Sequence, residues 1–191
     1  GERISVEWAD VEPAPGHFNF SRVQVVVHAA LAAGRDIIFR FDTGNCLERV
    51  ENPDLLGGYL CTAPRWLIAA GVPVATINIT GRQATHDNGN HSSYLEKWPF
   101  YLSPVYVSHF HLAHAAFRDH LFSTYSRDIQ RHFVGLELCF GSTCDVGPWH
   151  GIALEPHLRI DRGVWMAYWA NESVVVATLF SNWTSDAGRP F

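Results

Sequence analysis

Glu137 lies in the run Phe133-Val-Gly-Leu-Glu-Leu-Cys-Phe140. Its alternation predicts a strand with Val134, Leu136, Leu138 and Phe140 on one face and Phe133, Gly135, Glu137 and Cys139 on the other. A carboxyl near the C-terminal end of such a strand, partly desolvated, holds its proton more tightly and can deliver it to a leaving oxygen as a general acid. Asp145, at the end of Gly141-Ser-Thr-Cys-Asp145, is a second candidate acid with freer loop access. Each has a structural reading beside the chemical one: Glu137 in an ion pair with Arg40, and Asp145 capping its own turn. Two-carboxylate hydrolysis needs a partner at about 5 Å or at about 6.5–9.5 Å, according to the stereochemical course. Glu7, Glu12 and Asp42 are available for it, although Glu12, before Pro13, reads more naturally as an acceptor fixing its loop.

Other chemistries find less support. His109, His111 and His114 crowd one helix, but only His111 and His114 share a face and no carboxylate completes a metal site. Neither a Gly-x-Gly-x-x-Gly loop nor a Walker-type loop occurs, so no nucleotide cofactor is expected. Ser142 lacks the Gly-x-Ser-x-Gly setting of a serine nucleophile. Trp8, Trp66, Trp98 and Trp149 fall in segments read as loops, where an indole ring can stack on the apolar face of a pyranose.

The elements that would position these residues follow from periodicity and punctuation. Ile4 onward reads as a strand running into a Trp-containing loop, and Ser21 caps a helix over 22–33 that Gly34 stops. A buried strand over 36–41 completes a βαβ crossover. Residues 42–64 read as a long loop over the site, and 82–99 as a polar excursion rich in His and Asn. Ser103-Pro104 opens the strongest helix. After the strand at 133–140 and a Gly/Pro loop over 141–151, the β-branched run over 173–180 reads as a further strand.

With 47% hydrophobic residues, a net charge of −5 and no basic stripe, the chain is that of a globular domain without an electrostatic footprint for nucleic acid. No apolar run reaches the 18 or so residues of a membrane span. Five of the eight asparagines, Asn19, Asn78, Asn90, Asn171 and Asn182, open Asn-x-Ser/Thr sequons where about one is expected by chance. Their density suggests a secreted or extracellular glycoprotein. Four cysteines fall into two local pairs, Cys46 with Cys61 and Cys139 with Cys144. In an oxidising compartment they would be disulfides, and in a reducing one buried thiols.

Taken together, the run from Ile4 through Trp8, Glu12-Pro13 and Pro15-Gly16 to Phe20, Arg40 at the end of the next strand, Pro64-Arg-Trp-Leu67 and the strand at 133–140 resemble β-galactosidase-like (β/α)8-barrel glycoside hydrolases over roughly residues 4–145. The resemblance implies an α/β fold of the TIM-barrel type. It places Glu137 in the lumen as the acid/base; Trp8, Arg40, Trp66 and Trp149 are the candidate substrate-binding residues. Where the family has Asn before its acid, this chain has Leu136, and the loop ending in Asp145 is similar to the acid-bearing loop of β-amylases instead. A complete barrel needs about 250 residues, and this chain has 191. The expectation is therefore a single domain over 1–191 that is a partial or fragmentary barrel, whose open edges a partner chain or neighbouring subunit covers. The family's nucleophile belongs to a late strand beyond that reach, so the expectation is either an incomplete chain or an improvised partner such as Glu7, Glu12 or Asp42. The expected function is hydrolysis of O-glycosidic bonds, with no cofactor and carbohydrate as ligand. The alternative is a secreted, glycosylated structural or carbohydrate-binding protein derived from such a barrel and lacking turnover.

Overall fold

A computed structural model describes residues 1–42, 46–49, 62–80, 94–140, 148–149 and 151–181. The chain opens with strand β1 (Glu2–Glu7), the single helical turn α1 (Trp8–Val11), helix α2 (Ser21–Ala32) and strand β2 (Ile37–Asp42). Then come β3 (Glu48–Arg49), α3 (Trp66–Ala69), β4 (Val74–Ile79), β5 (Tyr94–Pro99), α4 (Pro104–Thr124) and α5 (Arg127–Gln130). Strands β6 (Phe133–Cys139) and β7 (Ile152–Ala153), a 3-10 turn (Pro156–Leu158) and helix α6 (Arg162–Leu179) follow.

The strands form two sheets. One is wholly parallel, in the order β1-β2-β6; the other is antiparallel, in the order β3-β5-β4-β7. This overturns the expected (β/α)8 barrel, partial or otherwise: among the described residues the parallel strands number three, and no barrel closes. Barrel closure requires each strand to be followed by a crossover that adds the next parallel strand on the same side. After β2, however, the chain builds an antiparallel sheet before α4 returns it to β6. The α/β class itself holds.

In β1 and β2, alternation sends Ile4, Val6, Phe39 and Phe41 into the core, where α2 and α4 cover them through Val23, Val27 and Phe117. The opposite face carries Arg3, Ser5, Glu7, Ile38, Arg40 and Asp42. Parallel sheets are usually apolar on both faces, so this largely polar second face departs from that pattern. In β6 the pairing slips: Ile37 meets Phe133, while Ile38 meets Gly135. The extra residue, Val134, is turned outward, and Phe133 joins the core against Phe39. The simple alternation read from the sequence had placed Phe133 with Glu137.

The run over 173–180, read as a strand from its β-branched residues, belongs to α6 instead. Trp165, Glu172 and Val176 are buried at helical spacing, and Asp161 caps the first turn by accepting from the backbone N–H groups of Gly163 and Val164. Burial of that stripe outweighs a propensity difference of a few tenths of a kcal/mol per residue. Helix α2 also starts differently from expectation. Ser21 is its first residue, and the Asn19 side chain accepts from the Ser21 N–H. Pro104 occupies the first turn of α4, as the sequence indicated.

Candidate functional site at the strand ends

In an open α/β sheet the carboxyl ends of the parallel strands are where ligands are met. Here those ends bring Glu7, Asp42 and Cys139 side by side: Glu7 pairs in register with Asp42, and Asp42 with Cys139. Neighbouring parallel strands lie about 4.8 Å apart, so the backbones of these two matched positions, whose side chains leave the same face, are about that far apart. Burial, and then the negative charges of Asp10 and Asp42, push the Glu7 carboxyl above its ordinary range, with Arg22 opposing. Arg22 is itself paired with Asp10 at 2.5 Å. Asp42 is held differently. One of its oxygens accepts from the Thr62 hydroxyl at 3.3 Å, and the other lies 3.5 Å from Arg40 Nη2. The two carboxylates thus sit in unlike surroundings, one disposed to keep a proton and one held by donors.

A groove of about 460 Å³ runs between β1 and α2, lined by Arg3, Ser5, Glu7, Asp10, Asn19 and Arg22 among others; Glu7 lines it, Asp42 and Arg40 do not. That volume is within the range of small-ligand sites.

Glu12, placed just after α1, is a structural carboxylate. Nearly fully buried, it accepts from Trp8 Nε1 at 2.6 Å and from the Gly16 backbone N–H at 2.7 Å, while its own carbonyl accepts from Trp66 Nε1 at 2.8 Å. Gly16 has φ +72°, a conformation that favours glycine. This clamp fixes the turn that leads from the site into α2.

The residues singled out from the sequence are distributed unevenly around this centre. Glu137 does share the charged face, with Arg40 as its register neighbour, but its ion pair is with Arg3 at 3.0 Å, where the two side chains are 40% and 60% exposed. It lies in mid-strand, two positions before the strand end. Asp145 lies outside the described residues. Trp8 is 0% exposed and packs edge-on against Trp66, Tyr106 and Phe110, so its ring offers no face to a sugar. Trp149 is 9% exposed and stacked on Tyr101, and Trp98 is buried with its indole N–H on Glu96. Trp66 keeps a half-buried ring beside His109.

Cys46 and Cys139 are both disulfide-bonded. Cys61 and Cys144, their expected partners, lie outside the described residues. Of the sequons, Asn19 and Asn171 are exposed and Asn78 is half-buried on β4; Asn90 and Asn182 lie outside the described residues. No described helix is long and apolar enough to cross a membrane.

Sequence reasoning named Glu7 and Asp42 only as substitutes. It missed Thr62 and Asp10, which shape their surroundings. Glu7 and Asp42 do share a signal in the sequence, since each closes an alternating run at its polar position. Thr62 carries none, because it reaches Asp42 from 20 residues away. No protein-family model matches the chain, and no curated protein matches it in sequence.

Proposed function

We propose that the chain is a carbohydrate-active protein that hydrolyses O-glycosidic bonds, with Glu7 as the acid and Asp42 as its partner carboxylate. The observation that carries this is the registered pair at the strand ends: Glu7, whose carboxyl burial and the neighbouring carboxylates push upward, and Asp42, which accepts from the Thr62 hydroxyl. Pairs of titratable groups pushed apart by their surroundings divide acid and base roles. A double-displacement course uses carboxyl groups about 5–5.5 Å apart, and matched positions on strands about 4.8 Å apart allow that separation. Glu7 gives its proton to the glycosidic oxygen as the C1–O bond breaks, and Asp42 closes on C1 to form a glycosyl ester. Water then attacks C1, Glu7 takes its proton, and Asp42 is released as the carboxylate.

A panel of nitrophenyl glycosides tests this. Glu7→Gln and Asp42→Asn should each lower kcat on the order of 10²–10⁴-fold, with far-UV circular dichroism unchanged and the released sugar keeping its anomeric configuration. Hydrolysis insensitive to both substitutions would remove the pair from the chemistry. The second reading, a secreted glycoprotein that binds carbohydrate without turnover, draws on the disulfide-bonded Cys46 and Cys139 and the exposed sequons at Asn19 and Asn171. It would be favoured by sugar binding with no hydrolysis across the whole panel.

A further inference from the structure

We propose that this site takes an acidic sugar, whose uronate carboxylate or sulfate ester is held by the guanidinium of Arg40. The inference rests on the reading of the strand ends as a carbohydrate site and names the substrate class.

Arg40 lies two residues before Asp42 on β2, on the same face, hence about 6.6 Å back along the strand. Its side chain is 23% exposed, so it forms part of the floor of the face and is not a solvated arm. Its partners are few for so buried a cation. Nη2 meets Asp42 only at 3.5 Å, and Nε is buried with no hydrogen-bond partner. Glu137 stands beside it in register but is engaged by Arg3 at 3.0 Å. Asp42 in turn has the Thr62 hydroxyl on its other oxygen.

A guanidinium offers five donors in a planar fork that matches the oxygens of a carboxylate or sulfate, and a buried donor of a cation left unpaired is costly. An anionic substituent one sugar's breadth from the Glu7–Asp42 pair meets the solvent-facing edge of this fork, the Nε donor itself being buried. Nor does the face repel it. Arg3 pairs with Glu137 at 3.0 Å and Arg40 lies 3.5 Å from Asp42, so the acidic groups nearest the guanidinium are each matched by a cation.

Calorimetric titration of the full chain with methyl β-D-glucuronide, glucose 6-sulfate and methyl β-D-glucoside tests the assignment. One acidic sugar should bind on the order of tenfold or more tightly than the neutral one, as a charge-assisted contact implies, and which of the two does so identifies the anion. In Arg40→Gln that preference should collapse, and Arg40→Lys should retain part of it. The Nε–H resonance of Arg40 in the ¹⁵N-labelled native chain should shift with the acidic sugar and not with the glucoside, a readout that needs no variant to fold. Equal affinity for all three sugars, or an unmoved Nε–H resonance, overturns the assignment while leaving a carbohydrate site in place. Failure of all three to bind overturns the carbohydrate reading and this inference with it.

Discussion

His114 sits on α4 against Phe41 and Phe110, with ring centroids 4.5 and 4.3 Å away, and its Nδ1 donates to the Phe110 carbonyl at 3.0 Å. Burial lowers its pKa from 6.5 to about 4; the hydrogen bond to the Phe110 carbonyl opposes this, and the neighbouring His111 adds to it. A lowered pKa means that the unfolded chain takes up a proton which the folded chain refuses. The stability this group contributes is therefore complete above pH 6.5 and lost as pH falls toward 4, by about 3 kcal/mol. Urea unfolding of His114→Gln should show a shallower decline than the native chain over that window, by about one proton's worth of slope. Parallel declines would show that His114 is not the group responsible. Glu12 gives a second test at this scale. Glu12→Ala strands the buried Trp8 indole N–H and frees the exposed Gly16 N–H, and should cost about 2–3 kcal/mol; a loss below about 1 kcal/mol would mean that water replaces the carboxylate. The sequence made part of this legible: Glu12 before Pro13 was readable as a loop-fixing acceptor. The burial of Trp8 was not, because a Trp beside a turn is compatible with either a pocket or a core until the tertiary partners Tyr106 and Phe110, about 100 residues away, are known.

Among the elements, those whose own sequence decides their form were readable, and those decided by neighbours were not. Strands β1, β2 and β6 carry apolar residues at alternate positions, and α4 begins with a helix-initiating proline. Helix α6 holds the run Val174-Val-Val176, which favours a strand locally; burial of Trp165, Glu172 and Val176 along one stripe reverses that preference. Its packing on α4 includes a polar contact, His111 Nε2 to Glu172 Oε2 at 2.5 Å, with Asn171 on the other carboxylate oxygen. A helix dependent on tertiary burial is sensitive to its cap. Asp161 satisfies two of the N–H groups that open α6, so Asp161→Ala should lower stability by about 1 kcal/mol, measured by the shift in urea midpoint at unchanged slope. Asp161→Asn, which keeps the acceptor, should recover most of that loss. Equal effects from the two substitutions would place the contribution in the charge at the helix N-terminus and not in the cap.

At the scale of the whole molecule, the parallel crossover from β1 to β2 and the strand β6 were legible, and the closed architecture inferred from them was not. Local likeness fixes how strands meet helices. How many strands join a sheet is set by what the intervening chain does, and here β4 and β5 pair antiparallel in their own sheet. The two sheets nevertheless share one cluster of buried apolar side chains extending from Ile4 to Phe180, so the strand-end site is shaped by both. Cys46 lies between β2 and β3, at the passage from one sheet to the other, and Cys139 ends β6 beside Asp42. Both are disulfide-bonded, which places covalent constraints next to the proposed carboxylate pair. Each bond should stabilise the fold by about 2–4 kcal/mol, which in a chain of 191 residues corresponds to a melting shift of roughly 5–15 °C per bond. Reduction should therefore lower the melting temperature by that order, and sugar affinity should fall before secondary structure is lost, because Cys139 ends β6 beside Asp42 while the apolar core under α2 and α4 lies on the opposite face of the parallel sheet. A reduced protein that melts earlier yet binds sugar as the oxidised one does would confine the disulfides to global stability and detach them from the site.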